Sequence, residues 1–290
     1  NLEKLYINKG NCYLGRKEYS KAINEYQNAS NINPKNTLIF NKLGEIKKLN
    51  GDLIGAKEDY IKALFLDLEN EETYRNLAEI NKLLGNNREA IENYEKSILL
   101  NPNNHLNYFS LADLYAESGE LTLAEDFYSK TIQSDPTYVY ALNARAKVKE
   151  KQKNYDGAIE DYSKSIEINP RGFSYFERGR LYEKLGLTSK ASKDYSNLIK
   201  IYQNAISYSV RGLFRFKNKN YIEAIDDYNY AIKLDPNNPD YYYFRGISKR
   251  YLRKYKEAII DLKKAEKLGY KSPNLLVDIG YTYSLWEKNK

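Results

Sequence analysis

Small and aromatic residues recur along the chain every 33 or 34 positions, on a largely polar background. The most regular position is an alanine, which occurs as Ala22, Ala56, Ala90, Ala124, Ala158, Ala191, Ala224 and Ala258. Four positions later the first seven segments carry a tyrosine, and the last carries Leu262. Seven positions after the alanine a small residue is usual. Because these offsets fall on one face of an α-helix, each segment is predicted to contain a helix with a packed stripe.

A second small residue stands twelve positions before each alanine, at Gly10, Gly44, Ala78, Ala112, Ala146, Gly179, Gly212 and Gly246. It predicts another helix that approaches the first closely, since a larger side chain at this contact would cost about 1–3 kcal/mol in overpacking. Five segments end in a proline, which stops the second helix: Pro34, Pro102, Pro136, Pro170 and Pro236. The pattern predicts helices over 3–16 and 20–32, repeated about every 34 residues.

These positions together resemble the tetratricopeptide repeat family over essentially the whole chain. The resemblance implies an all-α fold, an α-solenoid of tandem helix-turn-helix repeats that forms a right-handed superhelix with a concave inner groove. We expect a single array over 1–290, and the final helix would either cap the stack or form half of a ninth repeat, because Leu276, Gly280 and Tyr283 match first-helix positions. The expected repeats are 3–36, 37–70, 71–104, 105–138, 139–171, 172–204, 205–238 and 239–272, followed by the helix at 273–288.

The composition argues against catalytic activity and metal binding by this chain. One cysteine, Cys12, and one histidine, His105, are too few for an internal disulfide or a Cys/His metal site. No glycine-rich phosphate loop occurs, and no stretch approaches the ~18 apolar residues of a membrane span. We therefore expect no catalytic residues, no metal, no cofactor, no membrane insertion and a cytoplasmic location. The absence of methionine suggests a piece of a longer protein, whose remainder could carry a localisation signal.

Charge divides the chain unevenly. Residues 1–138 carry 16 Lys and Arg against 21 Asp and Glu, whereas residues 139–290 carry 30 against 18. This asymmetry favours an acidic partner for the C-terminal half, or else a solvated lysine-rich helical surface, and the sequence does not decide between them.

Four arginines immediately precede the small residue of the first helix, where the second, third and fourth repeats carry leucine. In the same repeats an aspartate stands three positions after the alanine. Because a buried guanidinium needs a carboxylate, we expect structural ion pairs between the two helices. The predicted pairs are Arg145–Asp161, Arg178–Asp194, Arg211–Asp227 and Arg245–Asp261.

The groove residues follow from the face of the first helix opposite its packed side. In the early repeats they are Ile7, Asn11, Asn41, Glu45, Arg75, Glu79, Phe109 and Asp113. In the later repeats the candidates for binding a peptide or partner are Lys147, Phe176, Arg180, Leu213, Phe216, Tyr243, Ile247, Arg250 and Tyr251. Aromatic anchors surrounded by charge suit an extended peptide or a partner helix, although several of these rings could instead pack against the next repeat.

Family members that bind chaperone tails use a clamp of lysine, asparagine and arginine side chains for the terminal carboxylates. Here Asn11 matches, but Ile7, Lys42, Glu72 and Asn76 occupy the other places, so we expect no such clamp. The sequence favours a non-catalytic scaffold or adaptor that binds another protein in the concave groove. The alternatives are a single-stranded RNA-binding repeat, less favoured because the acidic half repels phosphate, and a targeting module of a larger enzyme.

Overall fold

The computed structural model describes residues 2–289, which form seventeen α-helices and no strand. The helices are α1 Leu2–Gly15, α2 Tyr19–Ile32, α3 Thr37–Leu49, α4 Leu53–Leu66, α5 Glu71–Leu83, α6 Asn87–Leu100, α7 His105–Ser118, α8 Leu121–Ser134, α9 Val139–Lys151, α10 Tyr155–Ile168, α11 Gly172–Lys184, α12 Thr188–Ile201, α13 Ala205–Lys217, α14 Tyr221–Leu234, α15 Pro239–Tyr251, α16 Tyr255–Lys267 and α17 Leu275–Glu287. The prediction of an all-α helical repeat solenoid is confirmed.

The helix ends are set by local polar chemistry. The side chains of Asn36, Asn70 and Asn104 accept hydrogen bonds from backbone amides in the first turns of α3, α5 and α7. Such caps satisfy donors that have no partner within the helix. The turns between the two helices of a pair need a left-handed residue, and Gly51 provides it with a φ of 86°. Lys153 adopts the same backbone conformation in a later turn.

Tyrosines of the second helices pack against the small residues of the first. A Cβ atom placed on Gly44 would lie 2.8 Å from the ring of Tyr60, and one on Gly10 would lie 2.6 Å from Tyr26. Ala56, on the same face as Tyr60, is fully buried. The small residues therefore make room for large rings, which fill the space between the paired helices.

The chain divides into two compact units. The N-terminal unit extends to Asn154 and contains α1–α9, and the C-terminal unit begins at Tyr155 and contains α10–α17. The division falls between the two helices of the repeat expected at 139–171, so a single continuous array stays a prediction. Within each unit, successive helices pack against one another in chain order.

Candidate binding surface on the first helices

The N-terminal unit has a cavity of about 370 Å³ formed mainly by α1, α3 and α5. Among its lining residues are Ile7, Asn41 and Glu45, three of the early groove positions. Asn41, which lines the cavity, accepts a hydrogen bond from the Thr73 hydroxyl at 2.7 Å through its Oδ1, so this contact does not use its Nδ2 donor. Leu38, at the start of α3, adds an exposed apolar wall. The cavity thus combines apolar surface with an amide donor and a carboxylate.

Two further cavities lie along the first helices of the same unit. One of about 230 Å³ is lined by Arg75, Glu79 and Asp113, and one of about 410 Å³ by Asp113 and Lys147. Phe109 differs from these residues, because its half-buried ring packs against the core, on Tyr128 at a centroid distance of 5.7 Å. In this unit the early groove register thus marks mainly residues that surround open cavities.

Tyrosine hydroxyls of the second helices donate hydrogen bonds to polar side chains of the first helices. Tyr26 donates to Asn11 Oδ1 at 2.7 Å, and Tyr128 donates to an Asp113 carboxylate oxygen at 2.5 Å. Burial raises the pKa of Tyr26 to about 12, and nearby Glu45 adds to the effect. Burial also raises the pKa of the Asp113 carboxyl, and its bond from Tyr128 only partly opposes this. Un-ionised tyrosine hydroxyls therefore hold these polar side chains in place.

We expect Asp113→Asn to stabilise the protein at pH 7 by up to about 1 kcal/mol. Because burial raises the pKa of Asp113, the folded state binds this proton more tightly than the unfolded state does. The stability that protonated Asp113 contributes is therefore lost as the pH rises above 3.8, the usual pKa of the carboxyl. An asparagine amide keeps the acceptor for Tyr128, as Asn11 does for Tyr26. Urea unfolding at pH 4 and pH 7 measures the change, and an equal gain at both values would contradict this explanation. Glu125→Gln, at a half-buried position of α8, is the control for removing a negative charge.

In the C-terminal unit, two of the later candidates lie on α11. The half-buried ring of Phe176 packs against the cluster of Tyr182, Tyr195 and Phe214. The Nε of Arg180 lies 3.0 Å from Glu177 Oε2, and much of the Arg180 side chain is exposed. Leu213, at the Arg180 position of the next repeat, is half-buried on α13. Lys147 is exposed but belongs to the N-terminal unit.

Three other candidates are covered by the last helix. Ile247 is only 5 % exposed and clusters with Leu275 of α17, so its placement on an open surface is wrong. The Tyr243 hydroxyl donates to Asp278 at 2.8 Å, and Arg250 lies 2.7 Å from the same carboxylate. The physical reason is that first-helix residues near the end of the array pack against the following first helix.

Phe216 and Tyr251 belong to an aromatic cluster formed by α13, α14 and α15. The ring of Phe216 packs against Phe244 at 5.8 Å, and Tyr251 stacks on Tyr221 at 4.6 Å with nearly parallel planes. Tyr251 remains 54 % exposed, whereas Phe216 is half-buried. Only Tyr251 of these two therefore offers a large open surface.

Sequence analysis missed a column of exposed apolar residues at the second position of the first helices. Its members in the C-terminal unit are Phe173, 43 % exposed, and Ile206, 67 % exposed. The N-terminal unit contributes Leu38, Leu106 and Tyr140 at the same repeat position. The sequence signal for this column is an apolar residue six positions before the small residue of the first helix.

The arginine–aspartate contacts join the two helices of a repeat. Arg178 donates from Nε and Nη2 to the two oxygens of Asp194, both at 2.8 Å. Arg211 and Arg245 make the same two-point contact, with shortest distances of 2.7 Å to Asp227 and 2.5 Å to Asp261. Arg145 donates to Ser129 Oγ at 2.9 Å, and its pairing with Asp161 stays a prediction.

Among residues 2–289, no helix has both the length and the apolar character needed to cross a lipid bilayer. Over the same residues, no three His, Cys, Asp or Glu side chains gather closely enough to hold a metal ion.

Family comparison agrees with the paired helices and their packing. Models described as "TPR repeat" match residues 10–51 and 212–248, and models described as "Tetratricopeptide repeat" match 84–139, 139–171 and 174–204. The chain belongs to the tetratricopeptide repeat family. Comparison with curated proteins finds no match.

Solved structures share this architecture. The C-terminal part of a TPR repeat-containing protein from Cytophaga hutchinsonii has a TM-score of 0.68 and 16% identity, over 81% of this chain and 97% of its own. The MamA protein has a TM-score of 0.53 and 25% identity, over 58% of this chain and 91% of its own. YrrB, described as a TPR protein with an unusual peptide-binding site, has a TM-score of 0.54 and 20% identity, over 64% and 96%.

Proposed function

We propose that the chain is a non-catalytic protein-interaction scaffold that binds an extended peptide or a partner helix on the surface of its first helices. The observation that carries this proposal is the row of cavities along α1, α3, α5, α7 and α9, which first-helix residues line. Concave sites with apolar walls and a few oriented polar groups suit such ligands. YrrB has this fold and a peptide-binding site, which supports the class of ligand and nothing more specific.

In the N-terminal unit, amides would bind the peptide backbone. Asn41 keeps its Nδ2 group available, and half-buried Asn76 lines the same cavity beside Leu38 and Ile7. A primary amide can donate to a peptide carbonyl and accept from a peptide amide. The apolar neighbours would then bury one side chain of the ligand.

In the C-terminal unit, the ligand would be anchored on apolar residues and attracted by charge. Phe173 and Ile206 are the exposed anchors, and Phe176, Leu213 and Arg180 follow on the same two helices. Residues 155–290 carry 25 Lys and Arg against 17 Asp and Glu, so an acidic segment is the favoured partner. Charge would mainly accelerate the encounter, and burial of the anchors would supply affinity.

The test is affinity for peptides selected from a random library against the wild-type chain. We expect Phe173→Ala with Ile206→Ala, or Asn41→Ala with Asn76→Ala, to weaken binding at least about tenfold, which corresponds to ~1.4 kcal/mol. These exposed or half-buried side chains are removed with little damage to the core. Ile222→Ser, on an exposed position of α14, is the matched control.

Two results would contradict the proposal. Peptides that bind both double variants as tightly as the wild type would place the binding surface elsewhere. Preferential binding of a uridine 20-mer, with an affinity that falls steeply between low and high salt, would favour the RNA-binding alternative, because phosphate contacts release counterions.

A further inference from the structure

Asp113 of α7 lies between two of the first-helix cavities. The cavity of about 230 Å³ and the cavity of about 410 Å³ share this residue as part of their lining. One oxygen of its carboxylate accepts the Tyr128 hydroxyl at 2.5 Å. Among residues 2–289, no other side chain donates a hydrogen bond to this carboxylate, and no lysine or arginine forms an ion pair with it. Its second oxygen is therefore available to a donor that enters from the groove.

The neighbouring carboxylates of this surface differ from Asp113, because each already has a cation. The pairs are Lys42 with Glu45 at 2.6 Å, Lys48 with Glu79 at 2.8 Å and Lys82 with Glu117 at 2.8 Å. Lys82 lowers the pKa of Asp113 and Glu117 raises it, so this pair as a whole adds little charge beside Asp113. Within the described part of the chain, Asp113 thus presents a negative charge that no neighbour neutralises.

The fold does not require a charge at this position. In the first repeat Asn11 stands at the same place, and its neutral amide accepts the Tyr26 hydroxyl at 2.7 Å. An asparagine at 113 could accept the Tyr128 hydroxyl in the same way. Burial raises the pKa of the Asp113 carboxyl because its ionised form is less well solvated there. The ionised carboxylate therefore costs stability, and such a cost is common at functional sites.

We propose that Asp113 binds a lysine side chain of the peptide or helix that occupies the first-helix surface. This inference rests on the proposed function and adds the chemistry of one ligand residue. Ala116, Ala144 and Val148 give the larger cavity an apolar wall, against which the methylene stem of a lysine would pack. One available oxygen suits an ammonium group, which donates as a point charge, whereas a guanidinium binds best to both oxygens of a carboxylate.

The cations around Asp113 restrict what stands beside this lysine. Lys147 and Lys151 line the larger cavity, and Arg75 lines the smaller one. A second basic residue next to the ligand lysine would meet these like charges, which is unfavourable. We therefore expect a single lysine flanked by neutral or acidic residues.

The test is a double-mutant cycle between the chain and peptides selected from a random library against the wild type. Replacing the lysine of a selected peptide by norleucine should weaken binding to the wild type at least tenfold. Asp113→Asn should weaken binding of the lysine peptide at least tenfold, and binding of the norleucine peptide less than twofold. The asparagine keeps the acceptor for Tyr128, so circular dichroism and the melting temperature should show an intact fold. Asp126→Asn, which removes an exposed carboxylate of α8, is the matched control and should change affinity less than twofold.

Failure of this proposal is distinguishable from failure of the proposed function. If Asn41→Ala with Asn76→Ala weakens binding but Asp113→Asn does not, the surface binds peptides and the assignment of Asp113 is overturned. Selected peptides without lysine, or equal losses of the lysine and norleucine peptides in Asp113→Asn, overturn it as well. If both double variants of the first-helix surface bind the peptides as tightly as the wild type, the proposed function fails and this inference fails with it.

Discussion

Asp227→Ala is expected to lower the free energy of unfolding by about 4–5 kcal/mol. Asp227 is 1 % exposed and accepts hydrogen bonds from two guanidinium groups, Arg211 on one side and Arg215 at 2.7 Å on the other. Alanine leaves both cations partly buried without a carboxylate. Uncompensated charge of this kind costs more than the pair itself contributes, because desolvation is no longer offset.

The matched comparison is Asp194→Ala, which removes the partner of a single arginine. Arg178 makes a two-point contact with Asp194 and donates its remaining Nη1 to Ser163 at 2.7 Å. The expected loss is about 3 kcal/mol, smaller than at Asp227. Chemical denaturation followed by circular dichroism gives both values, and hydrogen exchange of α13 and α14 should locate the Asp227 effect. Repeats stabilise mainly their neighbours, so the loss should be concentrated there.

A double substitution tests whether Arg178 forms a structural ion pair with Asp194 or instead binds a ligand. Arg178→Leu with Asp194→Phe copies the arrangement of Leu111 and Phe127 in the repeat at 105–138. It should recover most of the stability lost in Asp194→Ala, since apolar residues often replace a buried pair without cost. A loss below ~0.5 kcal/mol in Asp194→Ala alone would mean that water already solvates the guanidinium.

The 34-residue spacing predicts the paired helices because it reports the packing itself. An alanine recurs at this interval because a larger side chain would hold the paired helices apart, and Ala56 of α4 is fully buried. The expected helices at 3–16 and 20–32 differ from α1 Leu2–Gly15 and α2 Tyr19–Ile32 by one residue at most at each end. This spacing persists although the surface residues differ between repeats, because it depends on side-chain volume and not on chemical type.

The ion-pair prediction was incomplete because it considered only one place on the first helix. Asp59 faces Leu43 and would lack a partner by that rule, but Lys47 lies 2.6 Å away, one turn further along α3. Arg215 and Lys249 occupy the same repeat position and contact Asp227 and Asp261 at 2.7 Å. In the sequence, these cations stand four positions after the leucine or arginine of their repeats.

The groove prediction was least successful near the last helix, for a physical reason. The first-helix register selects one face of α15, but whether that face is open depends on what packs beside it. Asp278 of α17 binds both Tyr243 and Arg250, and Leu275 covers Ile247. These are contacts between repeats, which the sequence pattern within one repeat does not encode. The exposed column that includes Phe173 and Ile206 was missed for a related reason, because an apolar residue at a helix start resembles core packing.

Two substitutions of Tyr228 are expected to change the free energy of unfolding in opposite directions. Tyr228→Ala is expected to lower the free energy of unfolding by about 3–5 kcal/mol, because it removes a ring that is 1 % exposed and packs with Phe244 at 6.0 Å. The ring also faces Gly212, so no neighbouring side chain can fill the cavity from that side. Thermal or urea unfolding of the C-terminal unit measures the loss.

The hydroxyl of the same residue should have the opposite effect. Tyr228 Oη is buried and finds no hydrogen-bond partner among the described residues, and burial raises its pKa well above the usual value. Tyr228→Phe removes this unsatisfied group and is expected to raise the stability by about 1 kcal/mol. In the equivalent Tyr195, the hydroxyl donates to Glu183 at 2.9 Å, so Tyr195→Phe should instead lower stability by about 1 kcal/mol. If both phenylalanine variants change stability in the same direction, hydrogen bonding does not distinguish these two rings. The repeats would then be alike in energy as well as in spacing.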